Sequence, residues 1–359
     1  MYMRDGKMIF LVAGARPNFM KLAPVARALG EQSINYRIIH TGQHYDYNLS
    51  KIFFEDLQIP KPDFFLEVGS ASHAVQTAQV MTAFEQLCLE NKPSLVIVFG
   101  DVNSTLACSL VSSKLRIKVA HVEAGLRSGD RNMPEEINRI VTDHVSDIHF
   151  TTSELASQNL IDEGISNKNI HFVGNVMIDT LMWQMNKIDE SRILEKLNLE
   201  SRKYELLTLH RPSNVDNKVK LMEILEAFNS NLFDKIVFPI HPRTKNSISK
   251  FDLGHLLDDD KFVIIDPLGY NDFLSLVKNS KAVWTDSGGI QEETTFLGVR
   301  CITLRENTER PETVEIGTNM LLKPSLKSIL EVKKELSDVK YEKIPLWDGK
   351  TSQRIIKYL

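Results

Sequence analysis

The sequence predicts an α/β protein built of two successive domains whose parallel sheets face one another across a cleft, and three observations predict it. The chain has 359 residues, more than the roughly 250–300 at which a single core stops growing. Short continuous apolar runs, the pattern of strands buried on both faces, recur with helical stretches between them. The rhythm breaks between Asn186 and Lys203, where the sequence turns charged, and restarts at Tyr204. The expected domains are therefore residues 1–185 and 186–345, with a C-terminal arm and helix over 346–359 that in proteins of this build often returns to the first domain.

Composition narrows the function. A net charge of -4 with no long block of one sign argues against a nucleic-acid partner. The most apolar N-terminal run, Met8 to Ala13, is far shorter than a membrane span and lacks the layout of a signal peptide, so a cytoplasmic protein without a membrane partner is expected. Three scattered cysteines, Cys88, Cys108 and Cys301, indicate neither a disulfide framework nor a thiolate metal site.

In the first domain Met8–Ala13 runs as a strand into Gly14-Ala15-Arg16-Pro17-Asn18 and then a helix to Leu29. Arg16 and Lys21 lie where cations oppose the positive end of a helix dipole, a conflict that a bound anion would resolve and that two solvated surface charges would leave in place. Tyr36–His40 leads to the polar turn Thr41-Gly42-Gln43-His44-Tyr45-Asp46. His40 and His44 have the spacing of a helical metal pair, but Gly42 and the preceding strand argue against a helix, so no metal site is expected. A long helix over 71–90 precedes strand Leu95–Phe99, which ends at Gly100-Asp101, the edge where open α/β sheets bind ligands. Lys118–Val122 leads to Glu123-Ala-Gly-Leu-Arg127. Pro134-Glu135-Glu136 then opens a helix with two acids in its first turn, as the dipole favours. Glu135 could also pair with Arg139 at i,i+4. Asp147–Thr151, Ser153–Glu163, Ile170–Val173 and a helix from Gly174 to about Met185 complete this half.

In the second domain five strand ends in a row carry polar residues, and four of them His, Arg, Ser or Glu: His210-Arg211 after Tyr204–Leu209, His241 after Lys235–Ile240, Asp266 to Tyr270 after Lys261–Ile265, Ser287-Gly288-Gly289 after Lys281–Trp284, and Glu309-Arg310 after Arg300–Leu304. A whole edge of such residues points to a ligand. The Ser-Gly-Gly turn reads as a phosphate cradle, because adjacent glycines let a ligand reach the backbone and the N–H groups of a helix start attract anions. Neither a G-x-G-x-x-G fingerprint nor a G-x-x-x-x-G-K-[ST] loop is present. Carboxylates in the first domain and phosphate binders in the second fit a nucleotide-linked substrate with its reacting group at Asp101, Glu123 and Glu135.

Taken together, Gly14-Ala-Arg-Pro-Asn-Phe-Met-Lys21, Thr41-Gly-Gln-His44, Gly100-Asp101, His121-Val-Glu-Ala-Gly-Leu-Arg127, Pro134-Glu-Glu-Ile-Asn-Arg139, His210-Arg211, Asp286-Ser-Gly-Gly-Ile-Gln-Glu-Glu293 and Thr308-Glu-Arg-Pro311 resemble the non-hydrolysing UDP-N-acetylglucosamine 2-epimerases, in the family's order over nearly the whole chain. The resemblance implies two Rossmann-like domains arranged as in GT-B glycosyltransferases. It also implies reversible interconversion of UDP-GlcNAc and UDP-ManNAc for cell-surface polysaccharides, a homodimer, and no cofactor. By the same resemblance Arg16, His210, Ser287, Gly288 and Arg310 would hold the diphosphate, with Lys21 and Gly289 beside it. Glu293 would accept from the ribose hydroxyls, and Phe273 would lie by the uracil. Asp101, Glu123 and Glu135 match the catalytic carboxylates. Gln43, His44, Glu136, Arg211 and His241 resemble a second, activating UDP-GlcNAc site, although Val75 stands where activated members have an arginine and Asp46 replaces a longer polar side chain.

Chemistry explains the need for several acids. The C2 hydrogen has no adjacent carbonyl, so a carboxylate can remove it only once the anomeric C–O bond is breaking and an oxocarbenium is developing. Loss of UDP and the proton leaves 2-acetamidoglucal, and re-addition with protonation on the opposite face inverts C2. Hydride never leaves the substrate, so no nicotinamide is required. A hydrolysing relative that releases ManNAc and UDP, a GT-B glycosyltransferase and a silent nucleotide-sugar-binding protein are the alternatives.

Overall fold

Buried apolar runs form two all-parallel sheets, one in each of two units: residues 1–183 with 345–359, and residues 184–344. The computed structural model describes residues 8–42, 57–258, 260–337 and 340–359.

The first unit contains β1 (Ile9–Ala13), α1 (Arg16–Glu31), β2 (Tyr36–His40), β3 (Phe64–Phe65), α2 (His73–Asn91), β4 (Leu95–Phe99), α3 (Asn103–Lys114), β5 (Lys118–Ala124), α4 (Pro134–Val145), β6 (Ile148–Thr151), α5 (Glu154–Asp162) and β7 (Ile170–Phe172). Helix α6 (Val176–Asp189) carries the chain into the second unit. There follow α7 (Ile193–Lys196), β8 (Glu205–Thr208), α8 (Pro212–Val215), α9 (Lys218–Phe228), β9 (Ile236–Pro239), α10 (Pro242–Phe251), β10 (Phe262–Ile265), α11 (Tyr270–Asn279), β11 (Ala282–Thr285), α12 (Gly288–Leu297), β12 (Cys301–Thr303), α13 (Glu312–Glu315), β13 (Asn319–Leu321) and α14 (Leu326–Glu335). Helix α15 (Thr351–Ile356) belongs to the first unit again.

The sheet orders are β3-β2-β1-β4-β5-β6-β7 and β10-β9-β8-β11-β12-β13. Each reverses direction beside its first strand, at β1/β4 and at β8/β11. Brackets of this kind open a crevice at the C-terminal ends of the two strands, where α/β sheets bind ligands.

Packing follows from the strand composition. In the first unit Phe10, Val12, Ile39, Phe84, Val96 and Val98 form a core, and in the second Trp284 packs edge-on against Phe228 and Phe233 at 5.4 and 5.6 Å between ring centres. All three cysteines are buried and unpaired, as packing residues should be. Among the described residues no helix is long and apolar enough to cross a membrane.

Two local features depend on residues far away in the chain. Pro24 lies inside α1 and leaves the Met20 carbonyl without its helical N–H; the Thr180 hydroxyl donates to that carbonyl at 2.6 Å instead. Helix α15 has its first turn capped by Asp179, which accepts from Thr351 N at 3.0 Å and Ser352 N at 2.7 Å, while Trp347 Nε1 donates to the Thr152 carbonyl at 3.1 Å.

Strands β3 and β13 have no signature in the sequence. With two and three residues they are too short to show a pattern, and they exist through pairing, Phe64 opposite Ile39 and Asn319 opposite Cys301.

Candidate active site

In the first unit the crevice is built from β1, β4, β5 and α4. Asn18, in the first turn of α1, accepts from Ala15 N at 3.1 Å and donates to the Phe99 carbonyl at 2.6 Å, tying the two sides of the switch point together. One turn further, buried Lys21 forms an ion pair with buried Glu123. Glycine at position 100 makes that reach possible: it has φ +65°, and a Cβ there would lie 2.9 Å from Lys21 Nζ. Glu123 itself has φ +73°, at the register shift between Val122 and Ala124 in the β5–β6 pairing. Such a bulge re-aims a side chain, and a non-glycine residue held there persists because its surroundings fix it.

Asp101 follows Gly100 and is held by two neighbours on α4. Its carboxylate pairs with Arg139, and its carbonyl accepts from Asn138 Nδ2 at 2.9 Å. Arg139 also bonds Glu136 at 2.5 Å. Glu136 is buried and accepts from Ser128 N at 3.0 Å, Ser128 Oγ at 2.9 Å and Gly129 N at 2.9 Å, so it anchors the loop before α4. Glu135, its neighbour in the same helical turn, is half-buried and makes no side-chain hydrogen bond or ion pair among the described residues. The pairing of Glu135 with Arg139 that the spacing allowed does not form; Arg139 reaches Glu136 and Asp101.

In the second unit the crevice lies between β8 and β11. Asp286, fully buried at the end of β11, accepts from His210 N at 3.1 Å, Arg211 N at 2.9 Å and Asn214 Nδ2 at 3.2 Å, and its carboxylate lies 2.9 Å from His210 Nδ1. Burial works to raise the Asp286 carboxyl, but the His210 ring and the two backbone amides outweigh it and hold it below its ordinary value. With Nδ1 committed to Asp286, the half-exposed His210 ring presents Nε2 outward. Arg211 Nε donates to the Asp286 carbonyl at 3.1 Å.

Helix α12 starts at Gly288 with Ser287 as its N-cap. Its leading N–H groups lack helical partners. The two glycines differ in their surroundings. A Cβ on Gly288 would come 2.5 Å from Glu309 Oε1 and 2.9 Å from Arg310 Nη1, whereas one on Gly289 meets nothing within 4 Å. Arg310 is buried behind Gly288, bonded to Glu292 at 2.7 Å and Glu309 at 2.5 Å, and Glu309 is bonded in turn to Arg305 at 2.9 Å. Glu293 is also buried, and burial with the adjacent charge of Glu292 raises its carboxyl to about 8, against a smaller opposing pull from the Tyr270 hydroxyl. Phe273 lies half-buried near the start of α11, and exposed His241 caps α10 through Arg243 N at 3.2 Å, its ring 5.7 Å from that of His210.

The model of the family described as UDP-N-acetylglucosamine 2-epimerase matches residues 27–359. The chain belongs to this epimerase family. It is 46% identical over 357 residues to a UDP-N-acetylglucosamine 2-epimerase of Methanocaldococcus jannaschii, covering 97% of this chain and 98% of the relative. It is 41% identical over 359 residues to the UDP-2,3-diacetamido-2,3-dideoxy-D-glucuronate 2-epimerase of Pseudomonas aeruginosa, covering 98% and 99%. The crystal structure of the Methanocaldococcus jannaschii UDP-GlcNAc 2-epimerase in complex with UDP-GlcNAc and UDP superposes with a TM-score of 0.92 at 44% identity, over 98% of this chain and 99% of that one. The α/β fold of two Rossmann-like units is that of the GT-B-like epimerases.

Several residues of this epimerase family member sit differently from a simple list of ligand contacts. Lys21 is engaged with Glu123, and Arg310 with two carboxylates. Glu136, read from the sequence as a second-site residue, is occupied by the loop it anchors. The Arg16 side chain and residues Gln43, His44 and Asp46 lie outside the described part. Asp286, Glu309, Asn138 and Arg139 stand inside the motifs but carry no ligand signal of their own. Only the contacts reveal that they hold His210, Arg310 and Asp101.

Proposed function

We infer that the protein interconverts UDP-GlcNAc and UDP-ManNAc by C2 epimerisation. The observation that carries this reading is the family match over almost the whole chain together with Asp101, Glu123 and Glu135 on the ligand edge of the first sheet. The first unit supplies the proton-transfer groups together with Arg16 and Lys21, and the second supplies most of the donors for UDP.

The residues divide the chemistry as follows. His210, oriented by Asp286, donates toward the departing diphosphate, and the leading amides of α12 and the buried Arg310 add positive potential at the same place. As the C1–O bond breaks, a carboxylate takes the C2 proton, and 2-acetamidoglucal and UDP remain bound. Another acid protonates C2 from the opposite face while UDP re-adds at C1. Glu135 and Asp101, both half-buried, would exchange protons with the ligand; Glu123, paired with Lys21, is more buried. A homodimer is part of the proposal because the family resemblance implies one, and a cytoplasmic location because it suits a UDP-sugar substrate.

The relative from Pseudomonas aeruginosa favours a second reading, in which the sugar carries a 3-acetamido group and a C6 carboxylate. The reaction would be unchanged, with only the substrate's periphery different.

Incubation with UDP-GlcNAc in D2O without NAD, followed by proton NMR, tests the function. UDP-ManNAc carrying deuterium at C2 is expected. ManNAc with free UDP would assign the hydrolysing reaction, and turnover only of the diacetamido uronate would assign the second substrate. Asp101→Asn, Glu123→Gln and Glu135→Gln should each lower turnover sharply, by about 100-fold or more; near-normal rates in all three would remove the assignment.

A further inference from the structure

Two buried side chains that the proposed chemistry does not use, His121 and Asp143, sit beneath the turn that carries Asp101. His121 Nδ1 lies 2.6 Å from Asp143 Oδ1, and His121 Nε2 lies 2.8 Å from the Gly100 carbonyl oxygen. The second Asp143 oxygen accepts from Gly125 N at 3.1 Å and pairs with Arg127 at 2.8 Å. Burial works to raise the Asp143 carboxyl, but His121 and Arg127 outweigh it and hold it below its ordinary value, so it is an acceptor only. The imidazole therefore faces an oxygen acceptor at each ring nitrogen. A neutral ring has one N–H to give, and the doubly protonated ring has two.

The positions of these groups in the fold give the arrangement its meaning. Gly100 precedes Asp101, His121 stands two residues before Glu123 on β5, and Asp143 lies on α4, the helix that begins with Glu135. One imidazole ring thus joins the three elements that bear the three carboxylates. Asn138 and Arg139 make a separate link from α4 to Asp101, so the turn has a second support that does not pass through the ring.

We propose that His121, held between Asp143 and the Gly100 carbonyl, is a positioning residue that fixes Asp101, Glu123 and Glu135 in one frame. This rests on the reading that those carboxylates move the protons. The ring touches none of the reacting atoms. Its effect is on where the carboxylates stand, and a misplacement of about 1 Å in such groups costs on the order of 100-fold in rate.

The test uses the full-length protein and His121→Gln, whose amide can donate to only one of the two acceptors. In the folded variant kcat should fall about 30- to 100-fold, while UDP affinity and KM stay within about twofold, because most of the proposed UDP donors, His210, Ser287, Gly288 and Arg310, lie in the other unit. A kcat close to wild type, or a loss confined to KM, would overturn the proposal. Nitrogen-15 NMR of wild-type His121 gives a second readout that does not need the variant to fold: both ring nitrogens should show the shifts of hydrogen-bonded nitrogens, and a ring nitrogen without a hydrogen-bond partner would also overturn it. If wild-type protein leaves both UDP-sugars unchanged, the epimerase reading fails instead. The ring-nitrogen shifts, with the Gly100 and Asp101 amide shifts in His121→Gln, then still decide whether the ring holds the turn.

Discussion

Asp286 receives the Nδ1 side of the His210 ring at 2.9 Å while the backbone amides of His210 and Arg211 close on the same carboxylate. One buried acid therefore fixes both the tautomer of the histidine and the course of the loop that bears it. Asp286→Asn puts an amide N–H where every neighbour is itself a donor. Stability should fall by about 1–3 kcal/mol, and kcat by about 10-fold or more as His210 loses its orientation. Thermal melting and steady-state rates check the two effects separately. Because the folded carboxyl is held low, its stabilising contribution is present above the ordinary aspartate value of 3.8 and is lost as pH falls through its folded value.

Glu293 gives a prediction of opposite sign. With its carboxyl raised from 4.5 to about 8, the folded protein keeps a proton there at neutral pH that the unfolded chain has lost. Stability contributed by this site therefore declines as pH rises from about 4.5 to about 8 and is level beyond. Glu293→Gln should raise the melting temperature at pH 7.5. If the ionised carboxylate accepts the ribose hydroxyls, UDP binding below pH 8 must release a proton, and affinity should climb by as much as about tenfold per pH unit until it levels off. Calorimetry in buffers of different ionisation enthalpy measures that proton; binding with no proton released would rule out the ribose role.

The two glycines at the start of α12 should respond differently to alanine. Gly288→Ala forces a methyl against the Glu309–Arg310 pair, both members buried, and should cost about 1–3 kcal/mol through overpacking. Gly289→Ala enters open space and should leave the melting temperature unchanged or slightly higher. If ligand fills that space, UDP affinity should nevertheless drop by about tenfold or more, about 1.4 kcal/mol. Unchanged UDP affinity in Gly289→Ala would place the diphosphate elsewhere.

Lys21 and Glu123 form a buried ion pair, so removing either partner strands a charge. Lys21→Met should lose about 3–5 kcal/mol of stability. The double variant Lys21→Met with Glu123→Gln should recover much of that loss and yet remain inactive. Denaturant unfolding of the single and double variants gives the coupling directly, and a double variant no more stable than Lys21→Met alone would count against it.

The sequence by itself determined the strands at β1, β2, β4 through β7 and β8 through β12, because short apolar runs between helical stretches can be recognised without tertiary information. It also determined which residues stand at the ligand edges, since each run ends in a polar turn, and it carried the family resemblance through the order of those turns. Short range limits what such patterns contain. Lys21 and Glu123 are more than a hundred residues apart, and only the sheet order that sets β1 beside β4 and β4 beside β5 brings them together. Glu135 and Glu136 look alike in sequence, but successive helical residues point about 100° apart, and the fold turns one toward the loop donors and leaves the other without a side-chain partner among the described residues. The same holds for His121, whose two acceptors come from the turn after β4 and from α4. Apolar periodicity is local and can be read along the chain. Pairing of buried charges is settled where distant elements meet, because low-dielectric surroundings make each charge depend on the partner the fold supplies.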